Sequence, residues 1–152
     1  MLLTKAQLAH HIRTRLGSSV VDVSDVEPVG VAIYCLADPR DVRQVRYVGQ
    51  TLLPQRRYLQ HLSTARLWLP AQVPWWIKSP KLRPLYDWIR ELHQQELRLP
   101  LMMVTRWVEN VRVARVVERE QIYAHLARHM PLLNVEQELG GRQLPLAYDD
   151  PL

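Results

Sequence analysis

Two β-prone runs, Val31-Ala-Ile-Tyr-Cys-Leu36 and Val45-Arg-Tyr-Val48, stand on either side of the polar stretch ADPRDVRQ, and this pairing constrains the fold more than any other feature of the chain. Asp38-Pro39 favours a turn, so the two runs read as a β-hairpin that places Tyr34 and Tyr47 in neighbouring strands. Gly49 reads as the end of the second strand. Pro54, tolerated in the first turn of a helix because its missing N–H has no partner there anyway, opens a helix running to about Leu67. Tyr58, Leu62 and Ala65 form the apolar stripe of that helix, and Arg57 and His61, at i and i+4, share its flank, where they can border a cleft.

Leu101 to Val108 reads as a third strand, and its apolar character on both alternating faces predicts a place in the middle of a sheet covered on two sides. Leu85, Trp88, Ile89 and Leu92 mark an amphipathic helix before it. Thr4 to Leu16 reads as a short N-terminal helix with Thr4 as N-cap and Gly17 as its stop, and residues 17 to 29 as a linker. The proline-rich segment LPAQVPWWIKSPKLRP is expected to be an ordered loop, in which Trp75-Trp76 beside Lys78, Lys81 and Arg83 either cap a core or stack on bases. The last long helix is expected from about Val111 to Met130. At about 100° per residue, Val113, Val116, Val117, Ala124 and Ala127 fall within about 60° of Glu120, which predicts a carboxylate at the centre of the inward stripe, with Glu118 pointing to roughly the opposite side. An ionised carboxylate buried without a partner is costly, so Glu120 is expected to meet an arginine or a metal.

Composition narrows the function classes. The chain has 152 residues, of which 47% are hydrophobic, enough for one domain with a core of its own. No apolar run approaches the roughly 20 residues that span a bilayer, and Met-Leu-Leu is followed at once by Thr4 and Lys5, so a soluble, cytoplasmic protein with no membrane partner is expected. Cys35 is the sole cysteine, which excludes an internal disulfide and a Cys-based zinc site and leaves it as a small buried hydrophobe. The net charge of +5 favours a polyanionic partner, since each phosphate neutralised by Lys or Arg releases counterions. No P-loop, GxGxxG or nucleophile elbow is present, so nucleotide-driven, redox and acyl-transfer chemistry lack residue-level support.

Six positions in fixed order then carry a resemblance: Ala-Ile-Tyr at 32 to 34, Tyr-Val-Gly at 47 to 49, Arg57, His61, Glu120 within VVEREQIYAHL, and Asn134 ending PLLN. Together they resemble the GIY-YIG nuclease superfamily over roughly residues 30 to 141, with Ala32 standing where that family usually has glycine. The resemblance implies an α/β (α+β) fold, a small three-stranded, mainly antiparallel sheet flanked by helices. It divides the chain into an N-terminal helix and linker (1–29), the nuclease-like domain (30–141) and a C-terminal tail (142–152).

It also implies a metal-dependent endonuclease that hydrolyses phosphodiester bonds in DNA, with RNA as a second candidate substrate. The rival is a non-catalytic nucleic-acid-binding or interaction module on the same fold, since a fold does not determine activity. In the nuclease, Glu120 ligates one Mg²⁺ or Mn²⁺ ion per site, Arg57 holds the scissile phosphate through its fixed fork of donors, and Tyr34 or Tyr47 activates water. A phenol of pKa about 10 is a poor base near neutrality, so either tyrosine needs help from the metal or from Arg57. His61 hydrogen-bonds a tyrosine or phosphate or relays a proton, and Gly49 and Asn134 orient the site. No separate DNA-reading element is visible, so specificity is weak, directed by DNA structure or supplied by a protein partner.

Overall fold

The hairpin forms, and it is longer than its apolar residues suggest. In the computed structural model, which describes residues 3–4, 6, 19–65, 68–69, 83–96 and 98–134, strand β3 (Val31–Asp38) turns directly into β4 (Asp41–Thr51) through Pro39 and Arg40. The Asp38 carboxylate closes the turn by accepting the Arg40 backbone N–H at 2.9 Å and the Arg40 guanidinium at 2.9 and 2.8 Å. The stretch expected to connect the strands is therefore mostly strand, polar because this end of β4 is exposed. Gly49 does not end β4, which continues through Gln50 to Thr51. Opposite Leu36 and Ala37 stand Tyr47 and Val45, so Arg46 is the extra residue of a β-bulge.

β6 (Leu101–Val108) pairs antiparallel with β3, and β2 (Val20–Asp22) pairs parallel with β6, giving the order β2-β6-β3-β4. The fold is thus α+β with a four-stranded mixed sheet, and the expected three-stranded sheet is corrected by β2, which lies in the stretch read as a linker. Three residues are too few to show a period, but Trp107 donates its indole N–H to Asp22 at 2.9 Å and holds the short strand in place. A separate two-residue pairing joins β1 (Leu3–Thr4) to β5 (Trp68–Leu69). Thr4, expected as the N-cap of the N-terminal helix, lies in β1; Trp75-Trp76, the tail expected from the sequence and, apart from Ala6, the rest of that helix lie outside the described residues.

Every residue of β3 is buried because both faces of the sheet are covered. Ala32, Tyr34 and Leu36 face α1 (Pro54–Ala65) and α2 (Arg83–Glu96), whose Tyr58, Leu62, Ala65, Leu85, Trp88, Ile89 and Leu92 complete that layer. Val31, Ile33 and Cys35 face α3 (Val111–Ala127), meeting Ala114, Val117 and Ile122. Each large aliphatic side chain so buried contributes about 1.5–3 kcal/mol. Cys35 is a free, buried thiol, and burial pushes its pKa up to about 11. Asn110 caps α3 by accepting the Val113 N–H at 3.0 Å. Among the described residues no helix is long and apolar enough to cross a membrane.

Candidate active site

Tyr34 and Gly49 are directly opposed in the β3–β4 ladder. A Cβ on Gly49 would stand 2.5 Å from the Tyr34 hydroxyl oxygen and 2.6 Å from Cζ, so the absence of a side chain at 49 is what lets the Tyr34 ring lie flat across the neighbouring strand. Tyr47 points into the same layer, its ring centroid 6.3 Å from that of Tyr34.

Helix α1 brings His61 to these rings. Its start is set by Thr51, whose hydroxyl accepts the Leu53 N–H at 3.1 Å, and by the Arg57 N–H bonded to the Leu53 carbonyl at 2.9 Å, with Pro54 in the first turn. Arg57 and His61 then face inward rather than along an open flank, both buried. His61 Nε2 and the Tyr34 hydroxyl share a hydrogen bond of 2.9 Å, while Nδ1 shares one of 3.1 Å with the hydroxyl of Tyr86 on α2. The Tyr47 ring stands edge-on to the imidazole with centroids 5.7 Å apart. Its hydroxyl is buried and has no hydrogen-bond partner among the described residues.

Electrostatics keep the imidazole neutral. Burial, and secondarily the charge of Arg57, hold the His61 pKa well below its ordinary value of 6.5. Burial raises the Tyr86 pKa, against which the Arg57 charge and a hydrogen bond with Thr64 act. Arg57 is therefore close enough to bear on both His61 and Tyr86. Its own Nη1 donates to Gln60 at a long 3.4 Å.

Asn134 fastens the free edge of the same strand. Its Oδ1 accepts the Val48 N–H at 2.9 Å and its Nδ2 donates to the Val48 carbonyl at 2.8 Å, so one side chain completes both backbone groups of the residue between Tyr47 and Gly49. The Leu133 N–H also donates to the Arg46 carbonyl at 2.6 Å, and Arg46 Nε to the Pro131 carbonyl at 2.9 Å. The segment after α3 is in this way bonded along the edge of β4.

The structure thus brings Tyr34, Tyr47, Arg57 and His61 together, with Gly49 beneath and Asn134 behind. It does not bring Glu120 to them. Glu120 is exposed, and Glu118, expected to point away, is 0% exposed. The inward face of α3 is Ala114, Val117, Glu118 and Ile122, while Val113 and Val116 are 38% and 57% exposed. The expected phase of this helix is corrected accordingly. Small Ala114 permits close approach to the sheet and Ile122 fills the core, so Val117 is inside while Val113 and Val116 are outside.

Tyr86 was not found from the sequence, although it falls on the same helix face as Ile89 and carries the one hydroxyl among the aromatic and aliphatic side chains there. Among the described residues no group of three or more His, Cys, Asp or Glu side chains is placed to hold a metal ion. The clustered side chains include no carboxylate, so by themselves they do not fit a hard cation such as Mg²⁺. Glu118, not Glu120, is the carboxylate of α3 that faces the interior. No protein-family model matches this chain, and no curated protein or solved structure is detectably similar to it.

Proposed function

We propose that the protein is an endonuclease that hydrolyses phosphodiester bonds in DNA, with the GIY-YIG-like cluster as its active site. The observation that supports this reading is the convergence of four polar positions of the resemblance, from β3, β4 and α1, in one buried cluster around a neutral imidazole. Phosphodiester hydrolysis needs an activated water, charge neutralisation at the phosphoryl oxygens and stabilisation of the leaving alkoxide. Arg57 supplies the fork of donors for the phosphate. Tyr34 is the better placed of the two tyrosines to act on water, because its hydroxyl is bonded to an imidazole that can polarise it. Tyr47 presents an unused hydroxyl one ring away and serves to orient water or phosphate.

The Mg²⁺ or Mn²⁺ ion that the resemblance implies finds no carboxylate in the cluster, since Glu118 is fully buried in the layer on the other side of β4 from Tyr47, and no step of the proposed chemistry runs through it. The +5 charge supports a nucleic-acid substrate and gives affinity without sequence choice, leaving a protein partner or DNA structure to supply specificity. A reading as a non-catalytic binding module is favoured by one observation, the exposure of Glu120 away from the cluster. Cleavage of duplex, branched and single-stranded DNA and of RNA, by wild type and Arg57→Ala, separates the two. The nuclease reading expects cutting by wild type that the variant loses, and a wild type that binds every substrate and cuts none would leave the binding module.

A further inference from the structure

We propose that Tyr86 is a positioning residue of this site, fixing the tautomer of His61 and through it the direction of the Tyr34 hydroxyl proton; its link to catalysis rests on the nuclease reading above. His61 is enclosed, and both of its ring nitrogens are within hydrogen-bond distance of a tyrosine hydroxyl, Tyr34 at 2.9 Å and Tyr86 at 3.1 Å. A neutral imidazole has one N–H donor and one acceptor nitrogen. One tyrosine must therefore accept from the ring while the other donates to it, and the two hydroxyl directions, on strand β3 and helix α2, are tied together. Neither can be changed alone.

Of the two arrangements, the cluster favours Tyr86 donating to Nδ1 and Nε2–H donating to Tyr34. The hydrogen bond from Thr64 lowers the Tyr86 pKa, as a donor to its oxygen does, which leaves the Tyr86 proton to be directed to Nδ1. The ring is kept neutral by burial and by Arg57, so it cannot satisfy both tyrosines by becoming a double donor. With Nε2–H as donor, the Tyr34 oxygen is held as an acceptor, which stabilises its phenolate, the deprotonated form that can take a proton from water. The reverse tautomer would direct the Tyr34 proton to Nε2 and leave its oxygen without that donor. Tyr86 thus selects the state of a side chain it does not touch.

The test is the Tyr86→Phe protein, with Thr64→Val as a milder second variant that removes only the outer hydrogen bond. Long-range ¹H–¹⁵N spectra read the tautomer of each histidine, with His61 assigned by its loss in His61→Gln. The expected result is an Nε2–H imidazole in the wild type, a shift toward Nδ1–H in Tyr86→Phe, where Nδ1 would lack the donor that holds it as an acceptor, and a smaller shift in Thr64→Val. Under the nuclease reading, kcat should fall roughly 10- to 100-fold, within what positioned acid–base groups supply, with KM for DNA unchanged. An unchanged tautomer in both variants overturns the role of Tyr86 whatever the cleavage result. A changed tautomer with undiminished kcat overturns its link to Tyr34. If the wild type cuts nothing, the nuclease reading fails, and the spectra alone still decide whether Tyr86 sets the state of His61.

Discussion

The Tyr34 ring crosses Gly49 so closely that a Cβ at 49 would stand 2.5 Å from its hydroxyl oxygen. Tyr34 is fully buried and bonded to His61, so it has no low-cost way to move aside. Gly49→Ala should destabilise the protein by about 1–3 kcal/mol, the usual cost of overpacking a close-packed core. The Tyr34–His61 hydrogen bond should be lost with it. Denaturant unfolding and the His61 chemical shifts check both; a variant as stable as wild type with unchanged His61 shifts would contradict this packing.

Asn134 should prove structural in its effect on β4. Asn134→Ala leaves the buried N–H and carbonyl of Val48 without their partners, at about 1–3 kcal/mol for each orphaned group. Amide exchange at Val48 should accelerate markedly relative to Cys35 in the neighbouring strand. Unchanged protection of Val48 would mean that the side-chain bonds are not what holds this edge.

Stability should fall as the medium is acidified through the histidine range. The folded-state pKa of His61 is depressed, so below about pH 6.5 the unfolded chain binds a proton that the folded chain refuses. The unfolded state then holds more protons, and stability rises with pH there by up to about 1.4 kcal/mol per unit for this residue. Urea denaturation from pH 7 to pH 5 should show this slope in wild type and a flatter one in His61→Gln. Equal slopes in the two proteins would show that His61 is not buried neutral.

Much of this arrangement was legible in the sequence, and the parts that were not have physical causes. The hairpin, β6 and the inward Leu85, Trp88, Ile89 and Leu92 were readable because long apolar runs at strand or helix period report burial directly. The reach of β4 beyond its apolar run is not, since the residues from Asp41 to Gln44 are mostly exposed and Gln50 and Thr51, though buried, are polar, so neither end has an apolar period to follow. β2 was hidden because its three residues are held by pairing to β6 and by Trp107 rather than by their own pattern. The phase of α3 is not legible because Val113, Val116, Val117, Ala124 and Ala127 outnumber Ala114 and Ile122, although it is Ala114 and Ile122, with Val117, that pack against the sheet. Tyr86 was missed since its partner is set by tertiary packing of α2 on α1, which no local spacing encodes.

Binding to DNA should be weak and strongly salt-dependent, with little preference for sequence. Each neutralised phosphate contributes a slope of about −0.9 in log affinity against log salt on B-form duplex. Titrations from low to moderate salt on several unrelated duplexes check this. Affinity that ignores salt, or that differs greatly between sequences of the same structure, would contradict a contact made mainly to backbone phosphates.

The proposed chemistry turns on the cluster around His61, and paired substitutions inside and outside it read this directly. Tyr34→Phe removes the hydroxyl bonded to His61 while keeping the ring across Gly49, and Glu120→Gln removes an exposed carboxylate outside the cluster. DNA cleavage by both variants and wild type should be measured in Mg²⁺ and in EDTA, with thermal unfolding of the same samples to show that each is folded. The expected result is cutting by wild type, a loss of roughly 100-fold or more in Tyr34→Phe, the scale of removing one positioned acid–base group, and near-wild-type cutting by Glu120→Gln. A wild type that cuts no substrate, or a folded Tyr34→Phe that cuts normally while Glu120→Gln is inactive, would contradict it.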